Sequence, residues 1–153
     1  MKVSTPLTGV LLCGLALVPS LTAQETGMWR AQSTTARGVT GDLQLTDTKI
    51  ILNFSGYTLA EIRDLTPEEV RAVFGESAHP GGAGHLFRTE IPAEKRFAHK
   101  NTLCGSEEVQ WIVTDVSGKT LQVAMFSGAS MPKLTAEAVG NSTSLCGTYS
   151  YTR

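Results

Sequence analysis

Val109-Gln110-Trp111-Ile112-Val113-Thr114-Asp115-Val116-Ser117-Gly118-Lys119-Thr120-Leu121-Gln122-Val123-Ala124-Met125-Phe126 reads as two strands around a glycine turn. Taking Ser117-Gly118 as the turn sets Ile112 opposite Val123 and Thr114 opposite Leu121 on one face. Trp111 then faces Ala124, and Val113 faces Gln122, on the other. Both faces carry apolar side chains. A hairpin with one wet side alternates apolar and polar residues, whereas one covered on both sides does not. The stretch therefore belongs at the centre of a β fold.

A second hairpin lies upstream, turning at Asp47-Thr48. It sets Leu45 against Ile50, Leu43 against Leu52 and Gly41 against Phe54, with Thr40, Asp42, Gln44, Lys49 and Asn53 on the opposite face. Only Ile51 breaks that pattern, so this hairpin is expected to be half-buried. Further strands are expected at Gly27–Ala31, Tyr57–Ile62, His85–Ile91 and Leu145–Thr152. One helix is signalled by Thr66-Pro67-Glu68-Glu69, with a capping threonine, proline at the first helical position and glutamate at the third. Val70, Val73 and Phe74 follow at helical spacing, and Gly75 stops it. Thr135-Ala136-Glu137-Ala138 offers a weaker cap, its glutamate one place early. The expected fold is mainly β: a small antiparallel β-barrel, or a sandwich, of about eight strands with one short helix and one disulfide.

Residues 1–23 have the three parts of a cleaved secretory signal. Lys2 is followed by an apolar run from Leu7 to Val18, and then by Pro19-Ser20-Leu21-Thr22-Ala23. Lipid attachment at Cys13 is the rival reading, but bacterial lipidation wants a small residue before the cysteine and Leu12 stands there. Residues 24–153 form a single β-rich domain of about 130 residues, enough for a true core. No later stretch is long and apolar enough to span a membrane, so a secreted or periplasmic location is expected. The chain holds 13 Lys and Arg against 14 Asp and Glu with no charged stripe, which argues against nucleic acid as a partner.

Cys104 and Cys146 sit in near-identical strings, Leu103-Cys104-Gly105 and Leu145-Cys146-Gly147. In an exported chain they read as a structural bridge, worth roughly 4 kcal/mol by loop closure. Neither the C-x-x-C spacing of a redox pair nor a four-ligand zinc pattern is present.

Gly27-Met28-Trp29 on the first strand resembles the opening of lipocalin-like small barrels. That resemblance implies a tryptophan packed at the closed end beneath an arginine from a late strand, the place Arg153 would take as a cation–π partner. Leu145-Cys146-Gly147-Thr148-Tyr149 is similar to the last strand of a group of small exported bacterial proteins, which implies no particular activity.

Candidate chemistry is sparse. His79 and His85 flank the glycine loop Pro80-Gly81-Gly82-Ala83-Gly84 and could hold a metal ion if Glu76 joined them; the plainer reading is an exposed loop. His99 could pair with Glu107 or Glu108 for acid–base work, or simply lie in a polar connection. Trp29, Trp111, Met125 and Phe126 could line a ligand cavity, or fill the core. No catalytic constellation or cofactor motif is evident. The expected function is a non-enzymatic exported module binding a small apolar ligand or a protein partner. The alternatives are a secreted enzyme using His79, His85 or His99, and a structural envelope protein.

Overall fold

The computed structural model describes residues 25–153; the expected leader at 1–23, with Cys13, lies outside them. Nine strands are formed: β1 (Gly27–Ala31), β2 (Leu43–Leu45), β3 (Lys49–Leu52), β4 (Ser55–Thr58), β5 (Ala60–Asp64), β6 (Ala83–Ile91), β7 (Val109–Ser117), β8 (Thr120–Ser127) and β9 (Leu145–Thr152). Helix α1 (Pro67–Phe74) continues into a 3-10 turn, and a one-turn α2 (Ala136–Gly140) precedes β9. Every pairing is antiparallel, in the order β4-β3-β2-β1-β9-β8-β7-β6-β5. This is one sheet, not the two of a sandwich. No ladder joins its edge strands β4 and β5, so the sheet is not closed into a barrel. No helix among the described residues is long and apolar enough to cross a membrane.

The ninth strand arises where the sequence suggests one continuous run, Tyr57–Ile62. The backbone turns away at Leu59, whose side chain is buried and whose N–H donates to Thr48 O at 2.8 Å. The chain thus leaves β3 as β4 and joins β6 as β5, connecting opposite edges of the sheet through one residue. The first hairpin has the expected register, Leu45 against Ile50 and Leu43 against Leu52. Phe54, expected opposite Gly41, instead sits fully exposed in the turn between β3 and β4. Asn53 and Phe54 both have positive φ, 46° and 63°, as the mirror-image turns favoured by tight hairpins require.

The central hairpin is two residues out of the expected register. Ile112 pairs with Met125 and Val113 with Ala124, because the turn is Gly118-Lys119. Gly118 takes the first turn position with φ +56°, where a side chain would be strained. A shift of two leaves every face unchanged. Both faces of the hairpin are covered. On the inner side, Ile112, Val116, Val123 and Met125 join a core fed by every strand except β5. On the outer side, Trp111, Val113, Ala124 and Phe126 pack with Val70, Val73 and Phe74 of α1 and with Leu134.

Helix α1 starts as its cap dictates: Thr66 Oγ1 accepts from Glu69 N at 3.3 Å, and Glu69 Oε2 accepts from Thr66 N at 3.0 Å. At the other end of the chain, the Arg153 guanidinium lies 4.0 Å from the Trp29 ring, the stacking expected of this pair. Cys104 and Cys146 are bonded, with Cα atoms 4.9 Å apart, tying the connection before β7 to β9 across the end of β8.

Candidate functional site

His79 and His85 bracket the same glycine loop, but they face different surroundings. His79 is anchored to Asp115 on β7: its backbone N–H donates to Asp115 Oδ2 at 2.8 Å, and its ring Nδ1 lies 2.9 Å from the same oxygen. Asp115 is fully buried, and its other oxygen, Oδ1, has no hydrogen-bond partner among the described residues. Gly82 passes so close that an added Cβ would run into that carboxyl group. Gly84 is constrained likewise by Val70 of α1. The glycines let β6 start tightly against both neighbours. His79 opens on a cleft of about 470 Å³ lined by Leu65, Val70, Arg71 and Glu76, with no serine, threonine or cysteine in its wall.

His85 lies on β6, opposite Thr114 of β7 and Asp64 of β5. It shares the inner side of the strand with Phe87, while Leu86 between them joins the outer core. Its Nδ1 is 3.1 Å from Glu61 Oε1 and 3.1 Å from Asp64 Oδ1, and its Nε2 is 3.8 Å from Glu25 Oε1. Thr114 Oγ1 donates to Glu25 Oε1 at 2.6 Å and fixes that carboxylate. Burial is the main cause that pushes the Glu25 carboxyl above its usual range; the Thr114 hydrogen bond and His85 oppose it, and Glu61 and Asp115 add to it.

A β-bulge assembles this cluster. Glu61 pairs with Phe87, Arg63 with Leu86 and Asp64 with His85, so the register shifts at Ile62. In a regular strand, residues 61 and 64 would point to opposite faces. The extra residue brings both carboxylates to the side of His85 and leaves Ile62 exposed. Arg63 is held by the helix: its guanidinium donates to Glu69 Oε2 at 2.8 Å and to Oε1 at 2.6 Å. Glu69 thus caps α1 and pins the bulge. The cluster opens on a cleft of about 510 Å³, with Leu45, Leu59, Phe87, Thr46 and Asp47 among its lining.

The structure therefore separates the two histidines expected to share a metal. Glu76 lines the His79 cleft, whereas the grouping with metal-ligand spacing among the described residues is Glu61, Asp64 and His85. His99 stands elsewhere, its Nδ1 3.2 Å from the main-chain oxygen of Gly38. The four residues considered for a ligand cavity are not brought together: Trp29 and Met125 belong to the inner core, Trp111 and Phe126 to the outer. Both indole N–H groups are used, Trp29 to Glu25 O at 2.7 Å and Trp111 to Gly128 O at 3.0 Å. None of the four lines the His85 cleft.

Glu25, Glu61 and Asp64 belong to no motif in the sequence. Asp115 carries a signal, being the one charged residue within the apolar run Val109–Val116. No protein-family model, curated protein or solved structure matches the chain.

Proposed function

We propose that this chain is an exported, non-enzymatic binding module whose wrapped sheet takes a small, positively charged ligand at its mouth. The observation that carries this reading is the His85 cleft. There Leu45, Leu59 and Phe87, which belong to the inner core, meet Glu25, Glu61, Asp64 and His85. An apolar surface beside convergent charged groups is the common make-up of a ligand pocket. Three carboxylates around one imidazole favour a cationic ligand over an anionic one.

The barrel reading draws support from continuity. β4 and β5 are consecutive through Leu59, and Thr89 Oγ1 of β6 donates to Thr58 O of β4 at 2.7 Å. Taken as one bent strand, they would make eight strands around the inner core. The lipocalin-like start, with Arg153 over Trp29, agrees with that view. Export is supported by the signal pattern at 1–23 and by a disulfide compatible with an oxidising compartment. His79, His85 and His99 stand in separate surroundings, which supports a binding reading over an enzyme that would use them together.

The test is a calorimetric titration of the mature chain with hexylammonium and with hexanoate, which share an apolar tail and differ in charge. The ammonium should bind, the carboxylate should not, and the double variant Glu61→Gln, Asp64→Asn should lose the difference. Equal behaviour of the two probes, or a double variant identical to wild type, would contradict the mouth as a cation site.

A further inference from the structure

We infer that the mouth cluster is a divalent metal site, in which His85 Nδ1, Glu61 and Asp64 are the ligands and the Glu25 carboxylate faces the imidazole from its other side. This rests on the mouth being the ligand cleft, and goes further in naming the ligand.

The donor spacing carries the argument. His85 Nδ1 stands 3.1 Å from an oxygen of each carboxylate, and the three donors lie within 4.8 Å of one another. Ligands about 2.1 Å from a common ion sit roughly 3.0–3.5 Å apart at octahedral to tetrahedral angles. The two edges meeting at His85 already have that length. Glu61 and Asp64 are exposed at 52% and 83% of their side chains, so they are free to close on an ion by side-chain rotation alone.

The far side of the imidazole is compatible with ligation through Nδ1. With Nδ1 on the ion, Nε2 carries the proton and faces Glu25 Oε1 across 3.8 Å, an electrostatic contact longer than a hydrogen bond, while Thr114 holds that carboxylate at 2.6 Å. A negative charge on that side favours the tautomer protonated at Nε2 and leaves Nδ1 for the ion. The bulge at Ile62 supplies the remaining element, because only the extra residue places Glu61 and Asp64 on one face. One imidazole and two carboxylates suit a first-row divalent ion such as Zn²⁺ better than Ca²⁺ or Mg²⁺, which prefer all-oxygen ligands. Three protein ligands leave room for water or a ligand atom to complete the shell.

Calorimetry with Zn²⁺ and with Ca²⁺, on the metal-stripped mature chain at neutral pH, tests this. Zn²⁺ should bind at one site per chain and Ca²⁺ should not. Asp64→Asn, at a largely exposed position, should keep the wild-type melting temperature while weakening Zn²⁺ by at least about ten-fold, and His85→Gln by more. Glu25→Gln should weaken it by about ten-fold and shift the imidazole ¹⁵N signals of His85, a change that loss of packing alone does not make. His79→Gln should bind Zn²⁺ as wild type does. Absence of Zn²⁺ binding, or binding that survives both Asp64→Asn and His85→Gln, would overturn the inference. If Zn²⁺ fails while hexylammonium still binds through Glu61 and Asp64, only the metal is lost; if both fail, the mouth site falls with it.

Discussion

His79 and His85 are six positions apart around one glycine loop, and the fold gives them opposite surroundings. His79 meets a single carboxyl that is fully buried and already accepts the histidine's own backbone N–H. His85 meets three carboxylates at an open mouth, two of them exposed. The first arrangement is a clamp: it fastens the start of β6 to β7 and leaves Asp115 nowhere else to turn. The second keeps donors near one another with space between them. What separates the structural histidine from the proposed binding one is the burial of its partner and the number of carboxylates around it.

The contrast predicts that changes at the clamp cost stability, whereas changes at the mouth cost binding. Asp115→Ala should have the largest effect. It leaves the His79 N–H and ring without their acceptor inside the protein, at a cost of about 3 kcal/mol in urea unfolding. A loss below about 1 kcal/mol would remove the clamp from the account. Gly82→Ala comes next, since its methyl group would press on the Asp115 carboxyl. A cost of about 2 kcal/mol is expected, and pairing it with Asp115→Ala should relieve part of that cost.

Smaller effects sharpen the mouth side. Hydrogen bonds from Arg63 hold the Glu69 carboxyl below its usual range, aided by the Thr66 N–H. A lowered folded value means that this stabilisation is present above the unfolded carboxylate pKa of about 4.3 and fades as pH falls through the folded value. Arg63 and Glu69 are 38% and 21% exposed, so the contribution is below about 1 kcal/mol. Glu69→Gln should therefore flatten the acid limb of the stability profile below the unfolded carboxylate value of about 4.3, and weaken Zn²⁺ binding by loosening the bulge. An unchanged acid limb would show that the pair does not pin β5. His85→Gln should be the mildest for folding, within about 0.5 kcal/mol of wild type in the absence of metal.

How much of this was legible in the sequence varies along the chain. Alternation placed Leu43, Leu45, Ile50 and Leu52 on one face, and the two-residue turn at Asp47-Thr48 selected the true register among the pairings that alternation allows. The Thr66 cap was legible for a local reason: both of its hydrogen bonds fall within four residues. The central hairpin yielded its two faces but not its turn, since Ser117-Gly118 and Gly118-Lys119 differ by a register of two, which alternation cannot detect. Leu59 fits the pattern of a continuous strand, and the bend there depends on Thr48, a residue on another connection. The mouth was hidden for the same reason. Glu61 and Asp64 have the spacing of opposite faces, and they converge only because Ile62 bulges against β6 while Arg63 is tied to α1.

The central claim, that His85 and not His79 is the binding histidine, is tested most directly by long-range ¹H–¹⁵N spectra of the three imidazoles during a Zn²⁺ titration. His85 alone should respond, its Nδ1 signal moving to the range of a metal-bound nitrogen while Nε2 stays protonated, and His79 and His99 should hold their free-state shifts. A response centred on His79, or three imidazoles that ignore the metal, would contradict it.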